Sequence, residues 1–479
     1  MKREGSLQAG LAVVLDVGKT LTKLSLWDRS GRLVERRTRP NERIDAGDYS
    51  ALDAEGIEAW LAPNLRDFAR MGEIDAIVPV AHGAAVAVIR DGRLACPPMD
   101  YEEPLPAADR ALYDAERDSF ALTGSPALPD GLNIGAQLHR LERLRPGLLA
   151  PGATILPWAQ YWAWRLSGVA ASEVTSLGCH TDLWRPLAAS PSRLAVSRGW
   201  ADLLAPVRRA GDTLGPLSKE WVEATGLPET TRVLCGLHDS NAALLAARGF
   251  AEIAGHEATV LSTGTWFIAM RTAGPERTVD WGRLDEHRDC LINVDAHGAP
   301  IPSARFMGGR EIELLTGLDT RRVDIGPDQP ALLAAAPVGV ASGAMVLPTL
   351  TSGVGPFPHG RGRWIDAPTD QAERRALVCL YAALVADAAL DLIGARERIL
   401  IEGRFAEAQV LVRALASLRP EAAVYVSNAH NDVSYGALRL LDPTLAPSSS
   451  LIRIEPLDVD LAAYKAAWRR EAERREAAA

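Results

Sequence analysis

The sequence predicts an α/β protein built from two like halves. LAVVLDVGKTLTKLSLWD (11–28) and TVLSTGTWFIAMRT (259–272) share one plan of strand, glycine turn and strand. ERILIEGRFAEAQVLVRALASL (397–418) and AAVYVSNAHNDVSYGALRLL (422–441) each read strand, loop, helix, the unit of a parallel sheet covered by helices. One hairpin opens each half, so a duplicated domain with a cleft between the copies is expected. The boundary is placed near Arg248, from the hairpin repeat alone.

The remaining elements follow in order along the chain. IDAIVPVA (74–81) reads as a buried strand, and VAVIRDGRLA (86–95) as a hairpin turning at Asp91-Gly92. A helix carrying Trp158, Tyr161, Trp162 and Trp164 ends near Ser167-Gly168, and its rings are expected to pack in a core. VLCGLHDSNAALLAA (233–247) is a strand, a polar break and an Ala/Leu-rich helix. The tail LAAYKAAWRREAERREAAA is expected to be a charged, solvated helix.

Composition removes several classes. With 47% hydrophobic and 24% charged residues the chain is globular rather than disordered or fibrous. A net charge of −9 gives no electrostatic reason to seek nucleic acid or an anionic membrane. Five scattered cysteines without a CxxC pair argue against a disulfide framework or structural zinc and fit a reducing cytoplasm. The apolar run Leu11–Leu15 is too short for a signal segment, and Pro337, Gly339 and Gly343 break the longest later one.

Several familiar motifs fail on spacing. Gly18-Lys19-Thr20 is not a Walker A loop, because position 13 is Val and strand, not helix, follows. No GxGxxG follows a strand, no GxSxG elbow occurs, and no histidine pair has zinc spacing. What remains is Asp16-x-Gly18-Lys19-Thr20 at a hairpin tip, offering N–H groups, a hydroxyl and an ammonium to phosphate. An ordinary turn is the alternative. Ser262-Thr263-Gly264-Thr265 has the same capacity. Asp239 ends an apolar strand, where a carboxylate either accepts a proton from a hydroxyl or caps the helix from Ser240. His82-Gly83 follows a strand and faces either a polar ligand or a loop partner. Gly403 and Gly436 stand where a nucleotide can lie over helix N-termini.

In this order the pieces resemble the FGGY carbohydrate kinases of the actin-like ATPase superfamily. Asp16-Val17-Gly18-Lys19-Thr20 with Lys23 is similar to the first phosphate motif of that family, and Ser262-Thr263-Gly264-Thr265 to the second. Gly236-Leu237-His238-Asp239 with Ala242-Ala243 resembles the base-carrying segment, and Glu402-Gly403-Arg404-Phe405 with Gly436-Ala437 the adenosine segment. The resemblance runs from residue 11 to residue 441. It implies two RNase H-like domains around a central cleft, 1–248 holding sugar and base, 249–479 holding nucleotide. Asp239 is then the catalytic base, and Asp16 and Asp239 face Mg²⁺. Gly18, Lys19, Thr20, Thr263, Gly264 and Thr265 hold the ATP phosphates; Gly308, Gly309, Gly403, Arg404 and Phe405 hold adenosine. His82, Gly83, Asp100, Tyr101, Glu102, His238 and Asp239 read the sugar.

The implied activity is ATP-dependent phosphorylation of a small sugar in the cytoplasm, with no nucleic-acid or membrane partner and a homodimer left open. Asp100-Tyr101-Glu102 stands where many relatives carry Trp-x-Asp-x-Arg, which points away from xylulose, glycerol and gluconate. NVDAHGAPIPSARFMGGRE (293–311) is closer to deoxyketose kinases, such as those for L-rhamnulose or L-fuculose. The alternatives are an inactive relative that senses sugar or nucleotide, and an ATPase of the actin or chaperone type.

Overall fold

The computed structural model describes residues 10–274, 278–320, 325–427 and 433–476. Two compact units emerge, and neither is continuous in sequence. The first comprises Met1–Gly249, Ile292–Pro300 and Asn431–Pro447; the second comprises Phe250–Leu291, Ile301–His430 and Ser448–Ala479.

Each unit is built on one sheet, and the two sheets share a strand plan. In the first unit the strands run Leu33–Pro40, Leu21–Trp27, Leu11–Val17, Ile74–Ala81, Arg232–Leu234 and Thr213–Pro216. The first three form an antiparallel meander, and Ile74–Ala81 then joins parallel to Leu11–Val17. In the second unit Pro300–Phe306, Phe267–Thr272 and Ala258–Thr263 form the antiparallel part. Arg398–Gly403 and Ala423–Val426 follow in parallel. This is the mixed α/β, RNase H-like architecture expected from the two hairpins and the later strand–helix units.

Helices cover the sheets for readable reasons. Ala54–Ala69 starts where the Asp53 carboxylate accepts the Gly56 N–H, and it buries Ile57, Leu61, Leu65 and Phe68 at helical spacing. Trp158–Ser167 places Trp158, Tyr161 and Trp162 in the first unit's core, as expected of that aromatic cluster. Gln329–Ser342 is one helix despite Pro337 and Gly339 within it. Among the described residues no helix is long and apolar enough to cross a membrane.

Two expectations need correction. The tail helix, Ala462–Glu476, is not solvated: Trp468 is fully buried and Tyr464 and Ala472 nearly so, a stripe at four-residue spacing. Trp468 Nε1–H donates to the Val346 carbonyl at 2.7 Å, and Tyr464 OH to that of Ala344 at 2.7 Å. Its charges are used as well. Lys465 and Arg469 reach the buried Asp387 carboxylate at 2.8 and 2.6 Å, beside Arg419 at 3.0 Å. A composition dominated by charge hid a narrow apolar seam. Second, Gly436 does not stand at a helix mouth for a nucleotide. It lies inside the helix Val433–Leu438 of the first unit, where a Cβ would come within 1.7 Å of the Ala242 carbonyl oxygen. That glycine serves close helix packing.

Replacing Trp468 with Ala leaves a cavity and an unpaired Val346 carbonyl, and should cost about 3–5 kcal/mol. Denaturant unfolding followed by a probe in the second unit measures it, and a loss below about 1 kcal/mol would return the helix to solvent.

Candidate functional site

The first unit gathers its polar residues at the carboxyl ends of its parallel strands, the ordinary place for ligands in α/β sheets. Val17 and His238 both stand in register with Ala81, one on each side of the central strand. Asp16 and Asp239 therefore leave strands two positions apart, roughly 10 Å at about 4.8 Å per step. Asp16 is buried and receives Lys23 Nζ at 3.2 Å. At the hairpin tip the Gly18 N–H donates to Leu21 at 3.1 Å, and Asn41 Nδ2 donates to the Gly18 carbonyl at 2.7 Å. Thr20 is exposed at the same tip.

Asp239 is the first residue of the helix Asp239–Ala247, so it does not cap that helix. Its Oδ1 takes the Ser240 N–H at 2.6 Å and His238 Nε2 at 3.1 Å. Asn241 Nδ2 lies 3.4 Å from His238 Nδ1. With the amide as donor, Nδ1 accepts and Nε2 carries the hydrogen toward Asp239, a tautomer assigned from the network. Burial pushes the Asp239 carboxyl up, but His238, His82 and the Ser240 N–H outweigh it and hold it below the usual carboxylate range.

His82 follows the central strand and is buried, its ring edge-on to Tyr101 at 5.5 Å. Among the described residues neither ring nitrogen has a hydrogen-bond partner. Burial drives the imidazole down to about 4, against the pull of Asp239, so at neutral pH it offers one donor and one acceptor. Gly83 admits no side chain, because a Cβ would lie 2.7 Å from Cys179 Sγ and 2.9 Å from His238 Nε2.

The Asp100–Glu102 segment is tied to the phosphate-type turn. Asp100 is fully buried: Oδ1 accepts the Glu102 N–H at 2.8 Å, and Oδ2 accepts Lys19 Nζ and Arg43 Nε, the latter at 3.0 Å. Arg43 also pairs with Glu102, which lies 3.8 Å from Lys19. The Lys19 ammonium sits over the Tyr101 ring, 4.7 Å from its centroid. Burial pulls Lys19 below its ordinary range, with Asp100 opposing, and pushes the Tyr101 phenol up to about 12.

Sequence reasoning passed over Arg43, Asn241 and Glu173. Glu173 is fully buried, and its Oε2 accepts Thr175 N–H, Thr175 Oγ1–H and Ser176 N–H at 3.0, 2.5 and 3.1 Å. Thr175 Oγ1 in turn accepts the His238 N–H at 3.0 Å. Burial pushes Glu173 up to about 7 in spite of these bonds. None of the three carries a family motif: Arg43 acts through the distant Asp100 and Glu102, Asn241 through His238 three residues before it, and Glu173 caps the short helix that follows it.

In the second unit three predicted segments meet. The Thr263 hydroxyl donates to the Glu402 carbonyl at 2.6 Å and accepts the Phe405 N–H at 3.0 Å. Gly403 has φ +83, and a Cβ there would lie 2.4 Å from the Thr263 carbonyl oxygen. A Cβ on Gly309 would lie 2.0 Å from that of Gly264, and one on Gly308 would strike Phe267 and Phe306. Thr265 accepts the Arg310 N–H at 3.4 Å. Gly264 itself is open: the nearest atom to a Cβ would be 3.8 Å away. Arg404 is half-buried, whereas Phe405 is buried against Phe267 at 5.3 Å and lines an apolar slot with Ile312, Thr316 and Ala408.

The C-terminal domain of the carbohydrate kinase FGGY family matches residues 255–448. A crystal structure of a carbohydrate kinase from Novosphingobium aromaticivorans is 61% identical, with a TM-score of 0.92 over 96% of this chain and 100% of that one. An L-fuculokinase of Salmonella typhi is 25% identical over 319 residues, 64% of this chain and 66% of that protein. The chain thus spans just under two thirds of that curated relative. A Plasmodium falciparum glycerol kinase solved with ADP is 12% identical with a TM-score of 0.76, over 97% of this chain and 98% of that one. That last likeness concerns the fold alone.

His82 gives a pH signature. Its folded value near 4 lies below the unfolded 6.5, so below pH 6.5 the unfolded chain binds a proton the native one refuses. This part of the stability is present above about pH 6.5 and is lost as pH falls toward about 4. Denaturation midpoints at pH 7 and pH 5 should differ less in His82→Gln than in the parent, and equal differences would show that His82 does not titrate this way.

Proposed function

The chain belongs to the FGGY carbohydrate kinase family, and on that premise we propose that it transfers the γ-phosphoryl group of ATP to a hydroxyl of a small ketose or deoxyketose, such as L-rhamnulose or L-fuculose. The observation that carries this reading is the placement of Asp239 and His82 at the carboxyl ends of adjacent strands, with neither His82 ring nitrogen hydrogen-bonded among the described residues. In the proposed reaction His82 orients the sugar hydroxyl and Asp239 takes its proton as the oxygen attacks the γ-phosphorus. The bond from that phosphorus to the bridging oxygen breaks, and ADP leaves. Such transfers depend on positioning and charge neutralisation more than on covalent chemistry.

The first unit holds the sugar in this reading and the second most of the nucleotide. Gly18 to Thr20 and Thr263 to Thr265 meet phosphates. Adenosine lies along Gly308, Gly309 and Gly403 to Phe405, beside the apolar slot. Mg²⁺ suits Asp16 and Asp239, because that ion takes one or two carboxylates and fills its shell with water and phosphate oxygens. Among the described residues no cluster of three or more acidic, His or Cys ligands exists. When bound, the ion neutralises phosphate charge.

ATP turnover against a panel of ketoses, deoxyketoses and polyols tests the reading. Strong stimulation by one sugar with a phosphorylated product is expected. Sugar binding without turnover would mark a sensor, and turnover indifferent to every sugar a chaperone-type ATPase. Asp239→Asn should lower kcat by about 10²- to 10⁴-fold and leave sugar affinity by calorimetry within a few-fold. Turnover near that of the parent would remove Asp239 from the base role.

A further inference from the structure

The buried Asp100 carboxylate meets two cations, both of which also approach the half-exposed Glu102. Asp100 Oδ2 is shared by Lys19 and Arg43, while Oδ1 already accepts the Glu102 N–H. A buried carboxylate stripped of its only cation is strongly destabilising, but one that keeps a guanidinium and a backbone donor is not stripped. Lys19 is therefore the dispensable partner. It belongs to the exposed tip at Gly18–Thr20, not to the strand Arg43–Asp45, so it reaches Asp100 across 81 residues of sequence. Its remaining contacts are weak ones, Glu102 at 3.8 Å and the Tyr101 ring at 4.7 Å.

We propose that Lys19 is an exchangeable cation that leaves Asp100 for the phosphate when sugar binds, and that Arg43 is the positioning residue that holds Asp100 in its absence. The inference rests on the kinase reading above. A sugar hydroxyl donating to Asp100 replaces the ammonium as the third donor, and the released ammonium is one residue from the turn N–H groups that meet phosphate. Burial has already removed much of the water from this ammonium, so a phosphate oxygen competes with little hydration. The two substrates then bind synergistically: sugar lowers the KM for ATP through Lys19.

Steady-state kinetics over a grid of sugar and ATP concentrations tests this in the parent, Lys19→Met, Arg43→Ala and Arg43→Lys. In the parent, KM for ATP should fall several-fold as sugar rises to saturation. Lys19→Met should raise KM for ATP about tenfold at saturating sugar, the scale of one charge-assisted bond, and abolish its dependence on sugar. Arg43→Ala should also weaken that dependence, because Asp100 then keeps Lys19, and Arg43→Lys should restore it. The Arg43 side chain is 52% exposed, so these replacements disturb little packing. Melting temperature identifies any variant that fails to fold, and Lys19→Gln then stands in for Lys19→Met. A rise in sugar KM alone, with ATP KM unmoved in both Lys19 and Arg43 variants, would overturn the exchange and make the cluster a fixed clamp. If no sugar stimulates the parent, the kinase reading itself falls; that result is separate from a parent that turns over without synergy.

Discussion

The first unit's site depends on one close approach. A Cβ at Gly236, φ +76, would lie 2.1 Å from the Pro79 carbonyl oxygen, so only glycine lets the 235–238 segment lie against the central strand. Gln160 Nε2 fixes the same bend by donating to the carbonyls of Cys235 and Gly236, each at 3.2 Å. With the bend set, His238 falls opposite Ala81, and Asp239 emerges beside His82 at the helix N-terminus. A carboxylate at that terminus meets aligned backbone N–H dipoles, which favour its charged form.

Electrostatic balance then decides what each group can do. Burial acts in the same sense on every titrating side chain here, against charge, and the neighbours decide the result. His82 has no hydrogen-bonding partner among the described residues and is driven neutral. Asp239 has His238 and the Ser240 N–H and stays below its usual range. Glu173, with neutral donors only in contact, is pushed up to about 7. A neutral imidazole next to an ionised carboxylate is the division that separates hydroxyl recognition from proton acceptance.

The second unit solves its problem with backbone instead of charge. Thr263 bridges its own hairpin to the Glu402–Phe405 segment, and Gly309 and Gly403 allow carbonyls to approach where any side chain would collide. The result is a set of small residues around an open Gly264. Such surfaces suit an anion that must be met by N–H groups at short range. Ser262 Oγ donates to Glu402 at 2.6 Å, and burial raises that carboxyl to about 7, so its negative charge near the tip is reduced at neutral pH.

What the sequence determined by itself was local. Alternating and continuous apolar runs specified the two hairpins and the parallel strands, and glycine at the turns marked both tips, because those signals act within a few residues. The candidate base, the histidine after the central strand and both phosphate-type turns were legible for that reason. Tertiary structure alone decided the rest. Arg43 sits on a three-residue strand with no motif, and its meaning appears only when Asp100 and Glu102 are brought to it. Asp239 could cap or catalyse by sequence; its place as the first helical residue removed the capping role. Gly436 and the tail helix were misread because packing partners, Ala242 and the 344–346 segment, lie far away in the chain. Propensity and spacing describe a residue's neighbours in sequence, whereas burial and ion pairing depend on neighbours in space, which only the folded chain supplies.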